Sequence, residues 1–178
     1  INGGVDDDRI DGGVGNDTLN GDAGWDTFYA SEGTDTIDGG SATDRVDYST
    51  FNGMGRSINV DLNGGAVSTV FVTGGDDDTV VNVERITGTD GDDTFRGHTQ
   101  ENRFWGGDGN DTFFASGGSD FIYGDGGTGD ILSYAGSASA IAMDASASGS
   151  TFTVTVGGGA ELDTIYNVET IIGSDGDD

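Results

Sequence analysis

The chain has no cysteine and no proline, and its six basic residues are all arginine. Without cysteine, neither disulfides nor thiolate zinc sites are available. No apolar run is long enough to cross a bilayer as a helix. Leu, Ile, Val and Phe contribute only 37 of 178 residues, while Asp and Glu contribute 33. The formal charge of −27 argues against nucleic acid and against anionic membrane surfaces as partners. Sparse apolar residues and strong like charge place the chain near the boundary of disorder. Something outside the sequence must offset that repulsion. The sequence opens on Ile1 with neither a start Met nor a signal-peptide pattern. It therefore reads as a piece of a longer chain.

What the chain does have is 35 glycines and two nested periods. The shorter period is a nonapeptide. Gly12 to Asn20 fits G-G-x-G-x-D-x-U-x, where U is a large apolar residue, and Gly106 to Phe114 fits it again. Around the first match, Gly3 to Asp11, Gly21 to Tyr29, Ala30 to Asp38 and Gly39 to Asp47 keep Asp8, Asp26, Asp35 and Asp44 in phase. Around the second, Gly88 to Arg96 carries Asp93 and Ala115 to Tyr123 carries Asp120. A further copy carries Asp130, displaced by one residue, and Gly97 to Trp105 has Asn102 where Asp belongs. Weaker copies end at Asp78 and Asp163, with their glycines out of place. Two nonapeptides make one coil, so the aspartates should form two rows, each taking every second nonapeptide. Asp8, Asp26 and Asp44 fall in one row, and Asp17 and Asp35 in the other. Random acidity does not hold such a phase.

The longer period carries whole blocks of sequence forward. Ile86-Thr87-Gly88 recurs as Ile171-Ile172-Gly173, and Asn82-Val83-Glu84 as Asn167-Val168-Glu169. The expected organisation is one unit over 1–85, a second over 86–170, and the start of a third over 171–178. Spacers at roughly 48–77 and 134–162 alternate apolar and polar residues, as in Ser57 to Leu62 and Thr151 to Val156. Alternation with period two predicts strands. Gly64-Gly65 and Gly74-Gly75 predict hairpin turns between them. No segment has sustained helical periodicity, so the expected chain is all-β.

The nonapeptide divides into a six-residue turn and a three-residue strand. Glycines let the turn visit positive φ and bring backbone carbonyls close together. The Asp adds a charged oxygen. Such hard oxygen ligands suit calcium. The expected metal ligands are the carboxylates of Asp8, Asp17, Asp26, Asp35, Asp44, Asp93, Asp111, Asp120 and Asp130, with Asn102 as a weaker neutral oxygen. Backbone carbonyls of Gly12, Val14, Gly21, Ala23, Gly106 and Asp108 would join them. Several Ca2+ ions in two rows would neutralise much of the charge, and their binding would drive folding.

These nonapeptides resemble the RTX (repeats-in-toxin) family of secreted bacterial proteins. The resemblance implies a right-handed parallel β-roll, or β-solenoid, interrupted here by antiparallel hairpin spacers. It also implies type I secretion and folding in calcium-rich surroundings outside the cell. It does not imply one activity. The tandem unit favours a structural segment of a large adhesin, surface-layer protein or filament. The alternative is a non-catalytic folding and secretion module attached to a secreted enzyme or toxin. No nucleophile–base pair is found, so the chain is not read as an enzyme. Partners besides calcium would be neighbouring repeats of the same chain, or a second copy joined through an exposed spacer strand. His98, the only histidine, has no identifiable catalytic partners. Trp25 and Trp105 are expected to pack ordinarily. The run Asp76 to Asp78 lacks the Glu and the flanking helices of an EF-hand.

Overall fold

The x-U-x triplets become strands with the middle residue turned inward, and this single feature builds the core. The structure, a computed structural model, describes residues 1–62, 64, 66–144 and 151–178. In the first nonapeptide run the strands are β1 (Asn2–Gly4), β2 (Arg9–Asp11), β3 (Thr18–Asp22), β4 (Thr27–Tyr29), β5 (Thr36–Asp38) and β6 (Arg45–Asp47). A meander follows, of β7 (Ile58–Asp61), β8 (Ser68–Val72) and β9 (Asp78–Val81). The second run gives β10 (Arg85–Thr87), β11 (Thr94–Arg96), β12 (Arg103–Gly107), β13 (Thr112–Phe114), β14 (Phe121–Asp125) and β15 (Ile131–Ser133). A second meander, of β16 (Ile141–Asp144), β17 (Thr151–Val156) and β18 (Glu161–Tyr166), precedes β19 (Thr170–Ile172). Among the described residues the only helical element is a single 3₁₀ turn, Ser49–Phe51.

Successive strands alternate between two sheets. Sheet I runs β1-β3-β5-β9-β8-β7-β11-β13-β15-β19, and sheet II runs β16-β17-β18-β14-β12-β10-β6-β4-β2. Within the nonapeptide runs neighbours are parallel and one coil apart, with Ile10 opposite Phe28 and Leu19 opposite Ile37. The coil is therefore two nonapeptides long, as the sequence predicts, and the fold is a parallel β-solenoid. The inward residues stack into a narrow core. Phe28, Ile37, Val46, Phe95, Phe113 and Leu132 are fully buried. Phe95 and Phe113 stack with ring centroids 5.0 Å apart.

The spacers are antiparallel, as expected. β7 pairs with β8 and β8 with β9, and β16, β17 and β18 repeat the arrangement. The outer strands of the first meander join the parallel stack, β9 to β5 and β7 to β11. Each meander thus occupies one strand position of the coil with three strands. β9 and β18 run past the expected spacer limits, because the failing nonapeptides around Asp78 and Asp163 form strands. Gly74 turns with φ +70° between β8 and β9. Gly65 of the other predicted turn, and residues 145–150 of the second spacer, lie outside the described residues.

The two meanders lie in opposite sheets. β7–β9 belong to sheet I and β16–β18 to sheet II. The same exchange affects every strand and its counterpart one long period further on. β2 lies in sheet II and β11 in sheet I, and β3 lies in sheet I and β12 in sheet II. Of the tryptophans, Trp25 departs from the expected packing and Trp105 does not. Trp25 is 59% exposed. Trp105 lies outside the core, stacked on Tyr123, which stacks on Tyr166 at 4.5 Å.

Candidate metal centre

The coil brings the sixth-place aspartates into line and joins them through the backbone. In one row Asp8 N–H donates to Asp26 Oδ1 at 2.9 Å, and Asp26 N–H to Asp44 Oδ1 at 2.8 Å. Asp44 N–H then donates to Glu84 Oε2 at 3.0 Å. Further along, Asn102 N–H donates to Asp120 Oδ1, and Asp120 N–H to Asp163 Oδ1, both at 2.9 Å. In the opposite row Asp17 N–H reaches Asp35 Oδ1, and Asp35 N–H reaches Asp78 Oδ1. After the meander this row resumes, with Asp93 N–H to Asp111, Asp111 N–H to Asp130 and Asp130 N–H to Glu169. The extra residue before Asp130 is absorbed in the turn. Glu84 and Glu169 are row members that the nonapeptide pattern missed. Their signal was the recurring Asn-Val-Glu triplet, where the longer side chain reaches back to the row.

The second carboxylate oxygen folds over the first glycine of its own nonapeptide. A β-carbon on Gly12 would lie 2.7 Å from Asp17 Oδ2. On Gly21 or Gly106 it would strike Asp26 or Asp111 even more closely. These glycines supply space for the carboxylate, whereas the fourth-place Gly109 supplies a positive φ of +112°. The expected carbonyl ligands divide accordingly. Gly12, Gly21 and Gly106 lie against carboxylates of the rows. Val14 and Asp108 sit exposed on turns, and Ala23 bridges to Ser41. No hydrogen bond among the described residues links these three to the rows.

Burial sets the electrostatics. Asp26, Asp35, Asp44, Asp93, Asp111, Asp120 and Asp130 are all buried, while Asp8 and Asp17 are half-buried at the first coil. Desolvation raises Asp111 to about 8 and Asp120 to about 7. It raises Asp44 and Asp93 to about 6, and Asp130 is also pushed up. Backbone N–H donors oppose the shift, and neighbouring carboxylates add to it. Asp26 Oδ2, Asp44 Oδ2 and Asp111 Oδ2 are buried without a hydrogen-bond partner. The ion pairs among the described residues join Arg45–Asp47, Arg56–Glu32, Arg96–Asp61 and Arg103–Glu101, so none serves a row aspartate.

Buried, orphaned, like-charged oxygens are costly unless a cation joins them. The rows therefore fit a hard cation. Among the described residues no group of three or more His, Cys, Asp or Glu side chains converges. A cation here would take one or two carboxylates and complete its shell with backbone carbonyls, a mixture that suits calcium.

Asn102 stands apart. His98 N–H donates to Asn102 Oδ1 at 2.9 Å, and the two side chains meet at 3.1 Å. Gln100 N–H donates to His98 Nδ1 at 3.0 Å. His98 is buried, and desolvation lowers its pKa. This turn closes on itself through neutral groups.

A family model described as the RTX calcium-binding nonapeptide repeat matches the chain four times, at residues 2–37, 20–53, 83–112 and 99–131. Together these cover more than half of the chain. None of the curated proteins matches. Among solved structures, the chain is similar to the extracellular lipase LipA from Serratia marcescens, with 16% identity and a TM-score of 0.37. The similarity covers 92% of this chain and 36% of the lipase chain.

Proposed function

The chain belongs to the RTX calcium-binding nonapeptide-repeat family, and from that premise we propose that it is a structural β-solenoid segment of a large secreted or cell-surface bacterial protein. It folds on calcium outside the cell and carries no catalysis of its own. The adhesin, surface-layer or filament type of parent suits the tandem organisation, with units over 1–85 and 86–170 and a third beginning at 171. The observation that carries the calcium requirement is the pair of buried carboxylate rows, with orphaned oxygens and, among the described residues, no arginine ion pair to a row aspartate. Bound calcium would supply the positive charge that these rows lack. The chain's own residues do the rest. Aspartates align through the backbone bonds, first-place glycines leave room for them, and the apolar triplets close the core beneath.

Calcium titration followed by circular dichroism at pH 8 tests the proposal. The expected result is a transition from disorder to β structure, reversed by a chelator. A full β signal in excess chelator at that pH would overturn it. The sequence of the parent chain tests the array. Many further units of the long period are expected, and a flanking hydrolase with few such units would point to a folding module instead.

A further inference from the structure

Apart from the turn of His98 and Asn102, the nonapeptide turns fall into two kinds, distinguished by their second residue. In one kind that residue has positive φ. Gly4, Gly13, Asp22, Gly40, Gly107 and Asp125 are of this kind, with φ between +63° and +122°. In the other kind it is Ser31, Thr89, Ser116 or Ser174, none of which has positive φ. The two backbones leave the carboxylate in opposite states.

Where the second residue is Ser or Thr, it bonds the aspartate of its own turn. Thr89 N–H donates to Asp93 Oδ2 at 2.6 Å, and its hydroxyl is shared between Arg56 O at 2.8 Å and Asp93 Oδ1 at 3.0 Å. Ser31 and Ser116 hydroxyls donate to Asp35 Oδ2 and Asp120 Oδ2 at 3.1 and 2.8 Å. Ser174 treats Asp178 in the same way. Where φ is positive, no hydrogen bond among the described residues joins the second residue to the aspartate of its own turn, and Gly13 N–H and Asp22 N–H donate to Asp11 Oδ1 and Asn20 Oδ1 instead. All three orphaned row oxygens, on Asp26, Asp44 and Asp111, belong to such turns. Each of these aspartates is at most 1% exposed. The spacers use a third means to the same end. Tyr48 Oη donates to Asp78 Oδ2 at 3.0 Å, and Tyr134 Oη to Asp163 Oδ2 at 2.6 Å.

We infer that calcium is held only at the open turns, whose aspartates include Asp26, Asp44 and Asp111, and that the hydroxyl-capped turns of Asp35, Asp93 and Asp120 fold without an ion of their own. A carboxylate oxygen that already accepts a hydroxyl proton has less to offer a cation. Orphaned oxygens cost free energy until an ion satisfies them. The second residue of each nonapeptide thus decides whether its turn is a metal site. The rows of ions are then interrupted, and Asp35, Asp93, Asp120 and Asn102 leave the set of sequence-predicted ligands.

This inference rests on the calcium reading, and the experiment separates the two. Calcium bound per chain is measured by equilibrium dialysis, with circular dichroism confirming that each variant folds. Asp111→Asn is expected to lower the count, and Asp120→Asn to leave it unchanged. Loss of calcium from Asp120→Asn as large as that from Asp111→Asn would overturn the inference while leaving calcium binding intact. A wild-type chain that binds no calcium would overturn both. Thr89→Gly, in a turn whose first place is already Gly88, guards against misfolding as an explanation, because it should raise the count by one. An unchanged count in that variant would also overturn the assignment of the cap.

Discussion

At the residue scale, the aspartates carry a conflict between burial and charge. In the metal-free chain, burial holds Asp111 near 8 and Asp120 near 7, against an ordinary carboxylate value of about 4. The folded chain therefore keeps protons that the unfolded chain has released. Stability from these groups is present below about pH 4 and is lost as pH rises toward 8. In excess chelator, β structure is expected to persist better at pH 5 than at pH 8, and circular dichroism across that window checks it. Calcium at pH 8 should replace the proton missing from Asp111. A second prediction concerns space. Gly106→Ala places a β-carbon against Asp111 Oδ2, and overpacking of this kind costs about 1–3 kcal/mol. Denaturant unfolding in calcium would measure it.

The aspartate phase was legible because a coil of fixed length leaves a fixed spacing. The caps were not. A pattern of residue types does not say where the hydroxyls of Ser31 and Thr89 point. Glu84 was missed for a different reason. It enters its row after a meander, where the path of the chain sets the alignment and no constant spacing survives.

At the element scale, each strand is too short to stand alone and depends on the stack above and below it. The apolar triplets were readable because one inward residue per nonapeptide is the whole of their contribution to the core. Phe113 is fully buried and stacks on Phe95. Phe113→Ala is expected to cost about 3–5 kcal/mol, measured by chemical unfolding with calcium present. The meanders were readable as antiparallel strands, but not as members of a particular sheet. Alternation within a strand says nothing about which neighbour it meets. Their attachment depends on the tyrosine clamps. Tyr134→Phe leaves Asp163 with a buried, unsatisfied oxygen, at about 1–3 kcal/mol. Hydrogen exchange should then quicken first in β17 and β18. The surface stack of Trp105, Tyr123 and Tyr166 was also hidden, since it requires knowing that these residues face outward in register.

At the scale of the whole molecule, the long period was visible, but its geometry was not. The exchange of sheets follows from parity. Six single strands and one meander separate β1 from its equivalent, so each period fills an odd number of strand positions and ends half a coil out of phase. Two periods are needed to return to the starting sheet.

That parity governs curvature. Three strands on one side opposite a single strand on the other make the first side longer by two strand spacings, about 10 Å. A rod built with every such wedge on the same side would curl into an arc. Here the next meander falls in the opposite sheet, where it would bend the rod back. Units taken in pairs cancel their bends, so a long array would stay straight on average while flexing gently from side to side, and a chain with an odd number of units would end tilted.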